Sequence, residues 1–136
     1  MHITSPEIAK LLNYPELISV LKTAFSGEGF SIPKRMHLTL PYNNISLVMP
    51  AWNTHYFGLK LIIACPENPQ RSLPVIQGKY DLFKVENGVY VCSLDAAKLT
   101  AIRTAATSVL ASSFFVENVD KVFLIGAGQI AEQLIC

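Results

Sequence analysis

Charge is what this sequence has least of. Asp, Glu, Lys and Arg make up only 15% of its 136 residues, hydrophobic residues make up 51%, and the net charge is +1. Globular domains average about 25% charged residues. A chain this apolar is not disordered. Its surplus predicts surface covered by a partner, either a second subunit or a further part of the same protein. No basic cluster exceeds Lys34-Arg35, so the stripe that nucleic acid requires is missing. No apolar run approaches the roughly 20 residues of a membrane span. The N-terminus has no basic n-region or apolar h-region, and Glu7 arrives early, so no signal peptide is expected. Neither nucleic acid nor membrane is therefore expected as a partner. Cysteine is sparse and odd in number: Cys65, Cys92 and Cys136, with no C-x-x-C spacing. That favours reduced thiols and a cytoplasmic protein over a disulfide framework. His2, His37 and His55 are too scattered to suggest a metal site.

What is there falls into three stretches. Ser5-Pro6-Glu7 reads as an N-cap, a proline in the first turn and an early acid, opening a short helix to Leu12. A second helix follows Asn13-Tyr14-Pro15, with Leu17, Ile18, Leu21, Ala24 and Phe25 on one face, and ends at Gly27 and Gly29. From Ile32 to Leu94 the pattern changes to strands: 36–40, 45–50, 56–65, 73–84 and 89–94. Pro41-Tyr42-Asn43-Asn44 and Glu86-Asn87-Gly88 supply turns between them. The expectation is a curved, mostly antiparallel meander. Asp95 then caps a long alanine-rich helix to about Val116. Trp52 and His55 read as packing or loop residues, and Cys65 as core. No repeat or low-complexity segment is present.

The third stretch is Val122-Phe123-Leu124-Ile125 followed by Gly126-Ala127-Gly128-Gln129-Ile130-Ala131. An apolar strand running through G-x-G-x-x-A into a helix opens a dinucleotide-binding fold. The first glycine permits the tight turn, the second admits a pyrophosphate to the backbone, and the third position stays small for packing. An ordinary strand-to-helix turn with small residues is the alternative. The βαβ unit needs about 30 residues, with a ribose-binding acid about 20 beyond the glycines, and eight residues follow Gly128. The expectation is the front part of a longer protein; the alternative is a small protein whose last strand pairs across a dimer.

Three basic residues stand in apolar surroundings. At about 100° per residue, Arg103 falls on the helix face of Leu99, Ile102, Ala106 and Leu110, where a guanidinium needs a buried partner or an anion. Lys60 shares a strand face with Ile62 and Ala64, a costly place for an ammonium unless a cleft opens there. Arg35 shares its face with His37 and Thr39. Together the three could clamp a carboxylate. The alternatives are an internal ion pair of Arg103 with Asp81 or Asp95, and snorkelling of Lys60 to an edge.

Ile32-Pro33-Lys34-Arg35, Met49-Pro50-Ala51, Gly58-Leu59-Lys60, Leu73-Pro74 leading to Gln77-Gly78, Leu94-Asp95-Ala96, Leu99-Thr100, Arg103-Thr104-Ala105-Ala106 and Gly126-Ala127-Gly128 occur in one order across nearly the whole chain. In this the chain resembles the ornithine cyclodeaminase/mu-crystallin family. The resemblance implies an α+β fold. An N-terminal substrate-binding and dimerisation domain (1–118), with a curved, mostly antiparallel sheet and helices, precedes the first strand and helix start of a Rossmann domain (119–136). It implies NAD or NADP as cofactor, a homodimer, and hydride transfer at the α-carbon of an amino acid or cyclic imine, as in cyclodeamination or ketimine reduction. Residues matching Arg35, Lys60 and Arg103 hold the substrate carboxylate, with Lys60 also polarising the reacting centre. Thr104 and the turn Gly126, Ala127, Gly128, Gln129 and Ile130 face the cofactor.

The chain departs from the family pattern at three points. Gln129 comes one place early with Ile130 in its usual position, Val75 replaces a common threonine, and the family's catalytic aspartate lies beyond the residues given. An incomplete, inactive portion of such an oxidoreductase is the leading expectation. A mu-crystallin-like small-ligand binding protein, or a truncated dimeric remnant without catalysis, is the alternative.

Overall fold

The computed structural model describes residues 1–27 and 29–135. Glu28 and Cys136, the last of the three cysteines, lie outside the described residues.

The chain folds as α+β. Strand β1 (His2–Ile3) leads into helices α1 (Ser5–Leu11) and α2 (Tyr14–Ser26). A meander follows: β2 (Met36–Thr39), β3 (Ile45–Trp52), β4 (Tyr56–Ala64), β5 (Ile76–Lys84) and β6 (Tyr90–Asp95). Helix α3 (Ala96–Ser112) and the short α4 (Gln129–Leu134) complete it. The six strands form one sheet in the order β1-β6-β5-β4-β3-β2. The expected meander is antiparallel throughout, and an irregularity between Leu82 and Phe83 adds a bend. Strand β1, which no periodicity announces, pairs parallel with β6.

The turns follow their residues. Tyr42 and Asn43 both take positive φ, 61° and 56°, in the β2–β3 hairpin, where a left-handed pair matches the twist of the strands. Helix α2 is capped by Asn13, whose side chain accepts from the Glu16 N–H at 2.9 Å. The α1 cap falls on Thr4 rather than Ser5. Glu7 reaches back to accept from the Thr4 N–H at 2.8 Å and its hydroxyl at 2.6 Å. Ser5 instead donates across the fold to Asp95.

Helix α3 packs on one face of the sheet against β4, β5 and β6, and α1, α2 and α4 pack against α3. Ala101, Ile102, Ala105, Ala106 and Leu110 are buried there. The small side chains let the helix axis approach the sheet. The helix ends at Ser112, short of the expected Val116. Beyond it Phe114 and Phe115 are exposed, with no neighbouring element to bury a further turn.

The expected strand at Val122–Ile125 does not form. A strand exists through its ladder of hydrogen bonds, and no described strand lies beside this segment. Phe123 and Ile125 stand 88% and 90% exposed. The helix start after the glycines does form, as α4.

Candidate functional site

The sheet register decides which residues can meet. Across β3, β4 and β5, Met49 pairs with Lys60 and Lys60 with Tyr80. Directly opposed residues share a face. Leu47, Met49 and Ala51 therefore lie with Gly58, Lys60 and Ile62, and with Gly78, Tyr80 and Leu82, on the side covered by α3. Arg35 immediately precedes β2. Met36 pairs with Val48, so one step further along that ladder Arg35 comes beside Met49, and hence next but one to Lys60.

Helix α3 delivers Arg103 to the same place. Burial pushes the Lys60 ammonium below the ordinary lysine value, and the positive charges of Arg103 and then Arg35 push it further down. The three cations therefore share one neighbourhood on the α3 side of the sheet. Arg103 does not pair with Asp81 or Asp95: among the described residues the one ion pair is His2 with Asp95. Nor is Arg103 buried among the alanines. It is exposed, on the flank of the helix face that Ile102 and Ala106 bury. Lys60 is half-buried, and Arg35 is exposed. Three like charges with no carboxylate among them repel one another, and an anion placed between them would relieve that repulsion.

The glycine turn lies apart from the cations, at the start of α4. Gly126 has φ +105°, a conformation open to glycine and strained for any other residue. Gly128 stands at the start of α4, and a Cβ on either glycine would meet nothing within 4 Å. The open backbone suits a bulky diphosphate, so the residues present fit the turn portion of a dinucleotide site. An apolar groove of about 800 Å³ runs from this turn along α3 to the sheet, lined by Gly126, Gly128, Ile130, Thr100, Ile62 and Gly78 among others. Gln129 also lines it. Ile62 and Gly78 are the next residues on the sheet face after Lys60 and Tyr80, so the groove leads from the turn toward the cations. Ala127 and Thr104 do not line it, whereas Thr100, one turn earlier on α3, does.

Asp95 has a different part from the one its position suggests. It precedes α3 as N-cap, yet its side chain caps nothing there. Its Oδ2 accepts from the Ser5 N–H at 2.8 Å and the Ser5 hydroxyl at 3.0 Å, and its Oδ1 lies 3.2 Å from His2 Nε2. Burial alone would raise the carboxyl; the two Ser5 hydrogen bonds and the adjacent His2 together outweigh it and hold it below the usual range. Asp95 thus ties the start of the chain to the helix that carries Arg103.

Tyr80 was not singled out by the sequence, and Gly58 only as part of Gly58-Leu59-Lys60. Tyr80 leans over Gly58, where a Cβ would lie 1.9 Å from the phenol oxygen. The only sequence signal is strand parity, and parity needs a register before it can set Tyr80 against Lys60.

Among the described residues no group of three or more His, Cys, Asp or Glu could hold a metal ion. No described helix is long and apolar enough to cross a membrane.

The other face of the sheet is also apolar. Trp52 stacks on Phe57 (centroids 6.2 Å apart), Phe57 meets Phe83 at 6.4 Å, and Phe83 meets Tyr90 at 5.4 Å. Leu59, Leu61 and Ile63 continue that face by alternation along β4. No described element covers it.

The fold has known relatives. The model of the ornithine cyclodeaminase/mu-crystallin family matches residues 2–135. The chain belongs to that family. It is 35% identical over 137 residues to an uncharacterised protein of Schizosaccharomyces pombe, covering 94% of this chain and 41% of that protein. It is 32% identical over 140 residues to a Delta(1)-pyrroline-2-carboxylate reductase of Colwellia psychrerythraea, covering 98% of this chain and 44% of the relative. Among solved structures, an archaeal alanine dehydrogenase dimer with bound NAD superposes with a TM-score of 0.70 at 25% identity, over 79% of this chain and 34% of that one. The Thermococcus litoralis Delta(1)-pyrroline-2-carboxylate reductase, in complex with NADH and L-proline, shares the fold with a TM-score of 0.71 at 23% identity, over 79% of this chain and 35% of that one. The chain thus spans less than half the length of each of these proteins.

Proposed function

We propose that this chain is the substrate-binding portion of an NAD(P)-dependent oxidoreductase acting at the α-carbon of an amino acid or cyclic imine. The observation that carries the reading is the convergence of Lys60 with Arg103 and Arg35, none of them ion-paired with a carboxylate among the described residues. Such a site takes a carboxylate from outside. The two guanidiniums, each a planar fork, hold the substrate carboxylate. Lys60, the most desolvated of the three, places its charge beside the reacting α-carbon and its nitrogen and polarises that bond. When bound, the nicotinamide cofactor supplies or accepts the hydride. The Gly126–Ile130 turn would hold its diphosphate, with Thr104 further along α3 facing the same ligand.

In this reading residues 1–118 form the substrate-binding and dimerisation domain, and residues 119–136 belong to the start of a Rossmann domain in a longer protein. Support for the second part comes from the positive φ of Gly126, from the helix that follows Gly128, and from the share of each relative that the chain spans. The segment at Val122–Ile125 would gain its ladder only when neighbouring strands are present. The uncovered aromatic and aliphatic face of the sheet is the surface we assign to a homodimer. The free thiols of Cys65 and Cys92 fit a reducing compartment and a cytoplasmic location.

The test is a steady-state assay of the full-length protein carrying this chain, with NADH or NADPH and a panel of cyclic ketimine carboxylates and amino acids. Turnover of a carboxylate-bearing member supports the reading. Tight NAD(P)H binding with no turnover of any member would replace it with a small-ligand binding protein.

A further inference from the structure

Tyr80 sits against the cation site, and among the described residues its hydroxyl has no hydrogen-bond partner. It pairs directly with Lys60 across β4 and β5, which sets the two Cβ atoms about 5 Å apart on one face. From there the ring runs over the bare backbone of Gly58. A Cβ on Gly58 would lie 1.9 Å from the phenol oxygen, 2.6 Å from Cζ and 3.1 Å from Cε1. Glycine at 58 is thus the condition for the ring to lie where it does, and Ala51, opposite Gly58 on β3, leaves the far side low as well.

The phenol is half-buried, and its hydroxyl forms no hydrogen bond with any described residue. Among the described residues no buried side-chain oxygen or nitrogen lacks a partner, so this hydroxyl is open to solvent and free to meet a ligand. Burial, with Cys92 beside it, pushes the phenol up from its ordinary value, so at neutral pH the group is a hydrogen-bond donor. Residues two apart on a strand face are roughly 6.6 Å apart. The hydroxyl over Gly58 and the ammonium at the end of the Lys60 stem can therefore reach one small ligand from adjacent sides.

We infer that Tyr80 is a further substrate-binding residue of this site: its hydroxyl donates a hydrogen bond to the carboxylate held by Arg35, Lys60 and Arg103. The inference rests on the carboxylate-site reading above. Three cations fix the charge of the ligand but leave its rotation free, because each side chain is long and two are exposed. The phenol is different. Its ring is held against the sheet, it has few rotatable bonds, and its oxygen stands at one place. It supplies the fixed direction that orients the carboxylate, and with it the α-carbon, relative to the groove that leads to the glycine turn.

The test is Tyr80→Phe in the full-length protein, beside Arg103→Ala. Phenylalanine keeps the ring over Gly58 and gives up no hydrogen bond within the described chain, so the melting temperature is expected to stay at the wild-type value. Calorimetry with an amino acid substrate and with its carboxamide, together with KM and kcat, gives the readout. Tyr80→Phe is expected to raise Kd and KM for the acid about tenfold, the loss of a hydrogen bond to a charged group. It is expected to weaken the carboxamide less, because a neutral amide oxygen is the weaker acceptor, and to lower kcat as well, because the carboxylate loses its fixed orientation. An unchanged Kd for the acid, or an equal loss for acid and carboxamide, would overturn the inference. If Arg103→Ala weakens the acid and Tyr80→Phe does not, only the role of Tyr80 falls. If neither variant weakens it, the carboxylate site itself falls.

Discussion

Replacing Asp95 by alanine should destabilise the protein by about 2–3 kcal/mol, and the figure can be built from the geometry. Its carboxylate accepts two hydrogen bonds from Ser5, at 2.8 and 3.0 Å. A hydrogen bond to a charged group contributes about 1.5–3 kcal/mol when water is excluded. The Asp95 side chain is 35% exposed, so water recovers part of each bond, and about half of the 3–6 kcal/mol sum remains. The contact with His2 at 3.2 Å involves two side chains at least one-third exposed and adds well under 1 kcal/mol. The loss should be visible in chemical unfolding of the full-length protein. Asp95→Asn, which keeps an acceptor without the charge, should cost about half as much as Asp95→Ala. Ser5→Ala should be strongly non-additive with it.

Acid should reproduce the effect. The folded-state carboxyl titrates below its unfolded value of about 3.9, so its stabilisation is complete above that value. It is lost as pH falls through the lower, folded pKa. An Asp95→Ala variant within about 0.5 kcal/mol of wild type, the ordinary range for a surface change, would refute the reasoning, as would an unaltered acid limb.

Three further outcomes follow from the same geometry. Lys60→Met should raise the stability of the ligand-free protein slightly, by less than about 1 kcal/mol once solvent screening of a half-exposed group is allowed for, while abolishing carboxylate binding, because it replaces a half-buried, like-charge-repelled ammonium with an apolar chain of similar size. The folded-state ammonium titrates below its unfolded value of about 10.4. Wild-type stability should therefore rise as pH climbs from the folded pKa toward that value, and Lys60→Met should flatten the rise in unfolding scans. Gly58→Ala should cost about 1–3 kcal/mol in an unfolding experiment, since the new methyl cannot share the place of the Tyr80 phenol. Leu59→Glu together with Leu61→Glu should convert the proposed homodimer to monomer in light scattering, because two carboxylates would be desolvated on the uncovered sheet face.

Much of this was legible in the residues, for identifiable reasons. The five meander strands followed from alternation and from turn chemistry at Tyr42-Asn43 and Gly88. Lys60 stood out because an ammonium in an apolar run has no bland explanation except an edge, and β4 lies in the middle of the sheet. Arg103 was placed correctly in the chain and wrongly in depth. Helical periodicity resolves a face only to within a residue, and the flank of a buried stripe is open. Asp95 read as a helix cap because a cap is a local pattern, while its actual partner lies 90 positions away. Tyr80 was invisible for a similar reason: its neighbour Lys60 is fixed by register, which no single strand reveals. Val122–Ile125 has the composition of a buried parallel strand, yet composition does not make a ladder without a neighbour. The glycine turn beside it was legible because positive φ at Gly126 is a property of the residue itself.

The central claim is that Arg35, Lys60 and Arg103 form a site for a substrate carboxylate. The most direct measurement is the Kd of an amino acid substrate, identified by the activity panel, for the full-length protein and its Arg103→Ala variant, by calorimetry at equal ionic strength. Removing one member of a partly desolvated charge cluster should weaken the ligand by about 2 kcal/mol or more, some thirtyfold in Kd, with the fold intact because Arg103 is exposed in the free chain. Equal affinity in the two proteins would contradict the account.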